Sequence, residues 1–322
     1  MPGFGNCTLD TCNVQASIFQ YRPSLGANAA FIALFGIAFV FHLLQGLRWR
    51  TWTFMGLVLC GCASEMIGYG GRIMMSGNPW NFTGFMLQIG AKFLSWVQYL
   101  SRNSKRQYHG GANIPYTVCV AFAPVYFTAA IYITLYRTIL YLSPASSRFA
   151  PKIYYIVFIP CDIISLVLQA IGGAKSTQTS GSSQSAIDIA LAGLAFQVGT
   201  LCIFIALSLD FALRYRRDLQ TGAVRTRNIP ARFKIFVGFL TLSILCILVR
   251  CVYRIDELSN GYEGPLIHDQ GLFIGLEGVM VIAAVFALNV GHPGQIFTEA
   301  DVAPQSEDDI PSESMRIKHR DG

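Results

Sequence analysis

The chain has 322 residues, of which 53% are apolar and 13% are charged, and its formal net charge is +6. So few charges in so apolar a chain exclude a separate soluble domain before the C-terminal tail and are typical of an integral membrane protein. The positive charge does not indicate a nucleic-acid partner, because the basic residues collect in short loops and form no basic stripe with interleaved aromatic residues.

Seven apolar stretches follow one another along the chain, each long enough to cross about 30 Å of hydrocarbon as a helix. They occupy residues 26–45, 52–72, 118–141, 153–172, 186–212, 233–253 and 269–290. The stretches are almost continuously apolar rather than alternating, which is not the pattern of a membrane β-barrel. The sequence therefore predicts an all-α fold, a bundle of seven transmembrane helices.

The distribution of Lys and Arg predicts the orientation of this bundle. The loops after the first, third and fifth spans carry most of these residues, including seven between positions 214 and 234. Because positively charged loops stay in the cytoplasm, we expect the N-terminus outside and the C-terminus inside. Two glycosylation sequons, beginning at Asn6 and Asn81, both fall on the predicted outer side.

The two ends of the chain differ from the apolar middle. Residues 1–25 are predicted to be an extracellular tail, residues 26–292 the transmembrane domain, and residues 293–322 a disordered cytoplasmic tail, which is acidic and rich in Ser and Pro. Cys7 and Cys12 face an oxidising compartment in this orientation. Their spacing permits a disulfide but does not require one.

Polar residues recur inside the spans at helical spacing. Glu65, Tyr69 and Arg72 share one face of the second span, and the fourth and sixth spans repeat this arrangement. Each charged group near the bilayer centre costs at least about 2.5 to 3.5 kcal/mol, so such groups normally face a cavity or a partner. We predict that the following residues bind or translocate a substrate: Glu65, Tyr69, Arg72, Asp162, Gln169, Gln197, Arg250, Arg254, Glu257, Asp269 and Glu277.

The depth of these groups follows from their distance to the span ends. Glu65 and Asp162 fall near the midplane, and Arg250 and Glu277 fall in the outer half. We expect a polar cavity in the centre and outer leaflet, in which Arg250 balances part of the negative charge. The alternative is that the same groups hold the bundle together as interhelical ion pairs and hydrogen bonds. Gly172-Gly173 is expected to end the fourth span.

The sequence offers no arrangement typical of an enzyme, a metal site or a cofactor site. The five histidines are scattered, without the paired spacing that suits a metal. No Gly-x-Ser-x-Gly or Cys-x-x-Cys occurs, so no nucleophile has a base at hand. His42 and Gln45 share a face at the inner end of the first span, where we expect a histidine satisfied by local hydrogen bonds. We predict a protein that is not an enzyme and uses no cofactor.

Several motifs together resemble the fungal lipid-translocating exporter family, whose relatives include aminocholesterol-resistance and sphingoid-base-resistance membrane proteins. The resemblance covers roughly residues 21–295. The motifs are Glu65-Met66-Ile67-Gly68-Tyr69-Gly70-Gly71-Arg72, Asp162-Ile163-Ile164-Ser165-Leu166-Val167-Leu168-Gln169-Ala170-Ile171-Gly172-Gly173, Gly193-Leu194-Ala195-Phe196-Gln197, Arg250-Cys251-Val252-Tyr253-Arg254-Ile255-Asp256-Glu257 and His292-Pro293-Gly294. His268-Asp269 stands where the family usually has His-Glu, and Glu277 stands where an Asp is common.

This resemblance implies a seven-span fungal protein of the plasma membrane, linked to lipid movement or export and to tolerance of amphipathic toxins. Its partners would be membrane lipids and an amphipathic small molecule.

One segment departs from the family pattern. Family members run from a Leu-Gln pair straight into an apolar stretch like Cys119-Val120-Ala121-Phe122, whereas residues 91–117 intervene here and bring four basic residues to an outer loop. Our hypothesis is an intron retained in the gene model, whose removal would join Ile89 to Cys119 through one Val. The alternative is a genuine insertion on the outer face.

Two classes of function are compatible with these features. The first is a transporter or lipid-translocating exporter of a sphingoid base, a sterol-like amine or a similar molecule, whose cationic head the acidic groups would attract. The second is a seven-span receptor that senses such a lipid. The inner end of the third span reads Leu135-Tyr136-Arg137 rather than Asp-Arg-Tyr, and the last span has no Asn-Pro-x-x-Tyr, which favours transport.

Overall fold

The structure, a computed structural model, describes residues 7, 11–14, 21–80, 123–178, 184–222, 231–259 and 269–297. Within these ranges all regular structure is helical. The main helices are α1 (Leu25–Trp49), α2 (Trp52–Gly77), α3 (Ala123–Leu142), α4 (Phe158–Gln178, entered through the short helix Ile153–Ile156), α5 (Gln184–Thr221), α6 (Ala231–Ser259) and α7, which runs through Gln270–Leu272, Phe273–Val279 and Met280–Val290.

Seven helical segments of the described chain are long and apolar enough to cross a membrane, with mean hydropathies from 1.2 to 2.5. They coincide with the seven predicted spans, which confirms the all-α, multi-pass architecture. The protein is an integral membrane protein. Its orientation in the membrane stays a prediction, and both sequons, at Asn6 and Asn81, lie outside the described residues, as does the segment 91–117.

α5 extends well beyond its predicted end. With 38 residues it is roughly 57 Å long at about 1.5 Å per residue, nearly twice the thickness of the hydrocarbon. Asp210 and Arg214 stabilise the extension, because they stand one turn apart and their side chains are 2.9 Å apart and partly exposed. A helix of this length that crosses the bilayer extends beyond the hydrocarbon.

The fourth segment that is long and apolar enough to cross a membrane is Ile153–Gly172, so it ends where Gly172-Gly173 was predicted to end it, although the helix α4 itself continues to Gln178. Gly172 also lets α5 approach closely: a Cβ atom there would come within 2.5 Å of the backbone nitrogen of Ala190. Gly193 on α5 does the same from the other side, where a Cβ would meet the carbonyl oxygen of Ser165 at 2.7 Å. Small residues at both points allow the two backbones to touch, as is usual between helices in membranes.

α3 lies at the centre of the bundle. Within its apolar stretch of 18 residues, 61% is buried in the bundle, compared with 28% for the corresponding stretch of α1. Tyr132 of α3 packs between Phe158 and Phe204, with ring centroids 5.5 and 4.4 Å away, so it joins α3 to α4 and α5. α1 and α2 form an antiparallel hairpin beside α3, and α6 packs along α7.

The N-terminal segment packs on the end of α2. Cys7 and Cys12 form a disulfide, the pairing that their spacing left open. Arg22 donates to the carbonyl oxygen of Ser76 at 2.6 Å, and Tyr21 accepts from Arg72 at 2.7 Å. These contacts hold Tyr21 and Arg22, just before α1, against the C-terminal end of α2.

The ordered fold extends past residue 292, where the cytoplasmic tail was predicted to begin. Pro293–Gln295 forms a 3₁₀ turn, and His292 caps it by accepting from the backbone nitrogen of Gly294 at 3.1 Å. Phe297 is buried against Phe236 of α6 and Tyr141 of α3. Pro293 and Gly294 thus allow the turn that brings Phe297 back against the bundle.

Candidate functional site

Six of the predicted residues lie in two polar clusters inside the bundle. The arginine cluster comprises Glu65 from α2, Arg250, Arg254 and Glu257 from α6, and Glu277 from α7. The aspartate cage comprises Asp162 from α4, Thr128 and Tyr132 from α3, and Thr200 from α5. Each cluster draws residues from at least three helices, so both depend on tertiary packing.

A short ion pair is the centre of the arginine cluster. Nη2 of Arg250 is 2.6 Å from Oε1 of Glu277, and the two side chains are 5% and 4% exposed. Arg254 reaches the other carboxylate oxygen of Glu277 at 3.1 Å and also binds Glu257 at 2.7 Å. Glu277 therefore faces two guanidinium groups that balance its charge, although its Oε2 atom accepts no hydrogen bond from the described residues.

The backbone of α7 is unusual where it carries Glu277. Phe273–Val279 is a π-helix between two α-helical segments, and such bulges are frequent at functional sites. The next residue, Gly278, faces the ring of Phe31, and a Cβ there would come within 2.4 Å of that ring. The widened turn and the absence of a side chain at Gly278 seat Glu277 in the core beside α6.

Glu65 differs from Glu277 in its partners. It is 3% exposed, and its Oε1 atom has no hydrogen-bond partner among the described residues. It lies within electrostatic reach of Arg250, Arg254 and Glu277. A buried carboxylate oxygen that lacks a donor costs free energy, which marks Glu65 as a position able to accept one.

Arg72 and Tyr69 border the arginine cluster on α2. The guanidinium carbon of Arg72 lies 3.8 Å from the centre of the Phe273 ring, at cation–π distance. Tyr69 stacks on Phe31 with ring centroids 4.9 Å apart, and it lies within electrostatic reach of Glu65. The face predicted from the spacing of Glu65, Tyr69 and Arg72 thus points into the bundle, toward α1 and α7.

The aspartate cage binds a carboxylate with hydroxyl groups alone. Thr128 and Tyr132 each donate to Oδ2 of Asp162 at 2.9 Å, and Thr200 donates to Oδ1 at 3.2 Å. Asp162 is 1% exposed. Arg250, which was expected to balance part of the negative charge, pairs with Glu277, whereas the hydrogen bonds to Asp162 come from hydroxyl groups.

The two predicted glutamines form a bridge next to this cage. Nε2 of Gln169 donates to Oε1 of Gln197 at 2.9 Å, joining α4 to α5. This bond lies on the α4–α5 boundary that Gly193 keeps tight, and it satisfies amide groups that would otherwise face hydrocarbon.

Asp269 stands apart from both clusters. It is exposed and accepts hydrogen bonds from the backbone nitrogens of Gly271 and Leu272, so it is the N-cap of α7. Capping satisfies two of the free N–H groups at the start of a helix. This contact gives Asp269 a structural role at the mouth of the bundle.

Two histidines meet at the opposite end of the bundle. His42 contacts the carbonyl oxygen of Val285 at 3.2 Å, and its ring lies 6.2 Å from that of His292. Gln45 donates to Asn289 at 3.1 Å nearby. Within the described ranges no three His, Cys, Asp or Glu side chains are placed to hold a metal ion.

Sequence reasoning missed the hydroxyl donors to Asp162. Thr128 and Tyr132 stand four residues apart on α3, a spacing that puts both on one face of a helix, and this was the available signal. Thr200 stands three residues after Gln197 and donates to its carbonyl oxygen as well. Hydroxyl residues are common in membrane helices, so the type of residue alone did not single them out.

The chain is similar to curated proteins of Saccharomyces cerevisiae and Emericella nidulans. It is 28% identical over 307 residues to the sphingoid long-chain base transporter RSB1 of Saccharomyces cerevisiae (strain Lalvin EC1118 / Prise de mousse), with 85% of this chain and 73% of that protein covered. It is 22% identical to the probable lipid transporter atnI of Emericella nidulans over 90% of this chain and 70% of that protein. It is 26% identical to protein RTA1 of Saccharomyces cerevisiae over 86% and 84% of the two chains.

No solved structure matches the chain. The family model described as RTA1 like protein matches it in two segments, residues 58–95 and 91–300, which together contain every member of the arginine cluster and the aspartate cage. The segments meet where the insertion was predicted to begin. The family resemblance predicted from the motifs is confirmed, and the chain belongs to the RTA1-like family.

Proposed function

We propose that this protein is a lipid transporter that moves amphipathic lipids bearing a cationic head, with long-chain amines such as sphingoid bases as the substrate class. The observation that carries this proposal is that Glu65 is buried and that its Oε1 atom has no hydrogen-bond donor among the described residues. An ammonium group supplies both the missing donor and the opposite charge.

The other buried carboxylates support Glu65 as the substrate group by their contacts. Glu277 is bound by Arg250 and Arg254, and Asp162 is surrounded by three hydroxyl donors. A cation that approached Glu277 would have to displace a guanidinium group first. In the described part of the chain, Glu65 is the buried acidic residue of the arginine cluster whose Oε1 atom is bonded to neither a guanidinium nor a hydroxyl group.

The surroundings of Glu65 suit an amphipathic molecule. Phe31 and Phe35 stack on Tyr69, which stands one helical turn after Glu65 on α2, and these rings offer an apolar surface for a hydrocarbon chain or a sterol-like body. Arg250 and Arg254, already engaged by Glu257 and Glu277, keep the local charge nearly balanced. A head group that binds Glu65 weakly enough to leave again is what passage through a membrane requires.

The names of the relatives favour transport over the receptor alternative, since RSB1 and atnI are named as lipid transporters. They also point to transport rather than catalysis. The sequence has no nucleotide-binding motif, so we propose that movement follows the substrate gradient or an ion gradient. We further propose a plasma-membrane location and a role in resistance to toxic amphipathic amines.

Transport of a labelled long-chain base by the purified full-length protein in phosphatidylcholine vesicles tests this function. We expect faster movement between leaflets than in protein-free vesicles. A neutral long-chain alcohol with the same chain length is the matched substrate control and should show much less acceleration. Equal acceleration of both molecules would contradict recognition of a cationic head, and acceleration of neither would contradict lipid transport.

A further inference from the structure

A second feature lies on another face of the bundle, away from both polar clusters. The inner halves of α3, α5 and α6 enclose a groove of about 880 Å³. Its walls are apolar and include Leu135 of α3, Phe204 of α5 and Leu240 of α6. None of the residues of the arginine cluster or the aspartate cage lines it.

The groove opens sideways toward the lipid. Leu209 and Leu245 line it and are 57% and 48% exposed, so an acyl chain in the bilayer meets its mouth directly. The hydroxyls of Thr138, Ser208 and Thr241 also face this space, but each donates to a carbonyl of its own helix. The walls therefore offer hydrocarbon contacts and few polar ones.

One end of the groove carries two cations. Arg216 near the end of α5 and Lys234 near the start of α6 both line it and are exposed. No acidic partner binds either side chain among the described residues, in contrast to Arg214, which pairs with Asp210. Both stand at the end of the bundle that we predict to be cytoplasmic, where anionic lipids concentrate.

We propose that this groove is a binding site for an anionic glycerophospholipid of the inner leaflet. One acyl chain lies between α3, α5 and α6, and the phosphate-bearing head group binds Arg216 and Lys234. Apolar walls below two unpaired cations complement a molecule with an apolar tail and an anionic head. A cationic long-chain base is repelled at this position, so the groove differs in charge preference from the Glu65 site.

Native mass spectrometry of the purified full-length protein, titrated with phosphatidylserine or phosphatidylcholine of identical acyl chains, measures this binding. We expect one saturable phosphatidylserine with clear preference over phosphatidylcholine. Arg216→Gln combined with Lys234→Gln should weaken phosphatidylserine binding roughly 30-fold, the effect expected for two surface cations, and leave phosphatidylcholine binding unchanged.

Neighbouring residues provide matched controls. Arg217 and Arg232 are exposed cations on the same helices that do not line the groove, so Arg217→Gln with Arg232→Gln should change the affinity less than 3-fold, well below the roughly 30-fold effect of the groove cations. Gly238 lines the groove and a Cβ there meets no atom within 4 Å, so Gly238→Leu fills the space without a clash. Gly199→Leu, in equally open space on α5, is its control.

We expect Gly238→Leu to abolish saturable phosphatidylserine binding and Gly199→Leu to preserve it, with Thr241→Phe as a second variant that fills the groove. Unchanged binding in both groove-filling variants would overturn the proposal, because surface charge alone would then hold the lipid. Equal losses of phosphatidylserine affinity in the groove pair of Gln variants and in the control pair, Arg217→Gln with Arg232→Gln, would overturn the proposal as well. The melting temperature of the lipid-free protein identifies variants that fail to fold.

Discussion

Arg250 and Glu277 form an ion pair 2.6 Å long between α6 and α7, although at most 5% of either side chain is exposed. The pair is supported by Arg254, which binds the second oxygen of the same carboxylate at 3.1 Å. Two charges so far from water are stable only while each keeps its partner. The contact therefore makes the association of α6 with α7 depend on a single carboxylate.

Removing that carboxylate charge should destabilise the fold strongly. Glu277→Gln leaves the buried guanidinium group of Arg250 without the anion that it binds, and we expect a loss of about 3 to 5 kcal/mol. Thermal unfolding of the purified protein in detergent measures it. Asp210→Asn is the matched control, because the Asp210–Arg214 pair is 38% exposed on each side and should contribute under about 1 kcal/mol. Similar melting temperatures for the two variants would show that the buried pair is dispensable.

Glu65→Gln, in contrast, should leave the stability of the fold unchanged and abolish transport. The substitution keeps the shape of a buried side chain whose Oε1 atom has no donor, so the abundance and melting temperature of the protein should stay near wild type. We expect loss of long-chain-base transport and of resistance to an amphipathic amine. Loss of the protein itself would support a structural role for Glu65. Normal transport by a normally abundant variant would remove Glu65 from the substrate path.

The close approach of α4 and α5 should be sensitive to a single methyl group. In Gly172→Ala the new Cβ meets the backbone of Ala190, which cannot rotate away, so we expect a loss of about 1 to 3 kcal/mol and a weakened Gln169–Gln197 bond. Gly199→Ala is the control, since nothing lies within 4 Å and the helix gains up to about 1 kcal/mol. The melting temperatures of both variants in detergent decide whether the packing is as tight as described.

The orientation of the bundle can be measured with two tags. A tag after Gly322 should be protected from protease in intact cells, and a tag before Met1 should be accessible, because the Lys- and Arg-rich loops are predicted to face the cytoplasm. Cleavage of the C-terminal tag in intact cells would refute the N-outside orientation.

Transcript sequencing tests the hypothesis of a retained intron. We expect reads that join the codon of Ile89 to that of Cys119 through one Val codon. Replacing the 29 residues 90–118 by one residue shortens the chain by 28. Two observations motivate this expectation: the basic residues Arg102, Lys105 and Arg106, and a family match that is divided into two segments overlapping at residues 91–95. Reads that run uninterrupted through residues 92–117 in most transcripts would establish a genuine insertion.

The seven spans could be predicted because length and apolarity are local properties of each segment. The inward faces could also be predicted, since the spacing of Glu65, Tyr69 and Arg72 follows from the helix itself. Partners could not. That Glu277 binds Arg250, and that Asp162 is bound by Thr128 and Tyr132, depends on which helices are neighbours. The end of the fourth span could be predicted from Gly172-Gly173, but the close approach of α5 to Gly172 could not, because a Gly pair in a sequence does not reveal which helix packs against it.

The glycine contacts between α4 and α5 also determine which parts of the bundle are able to move. Backbones that touch at Gly172 and Gly193 cannot slide past one another without collisions between main-chain atoms. Interhelical shear needs side chains that adjust along the boundary, and this boundary has none at those two points. We therefore expect α4 and α5 to travel as a single rigid body, which leaves the gating of a transport path to rearrangements at the other helix boundaries.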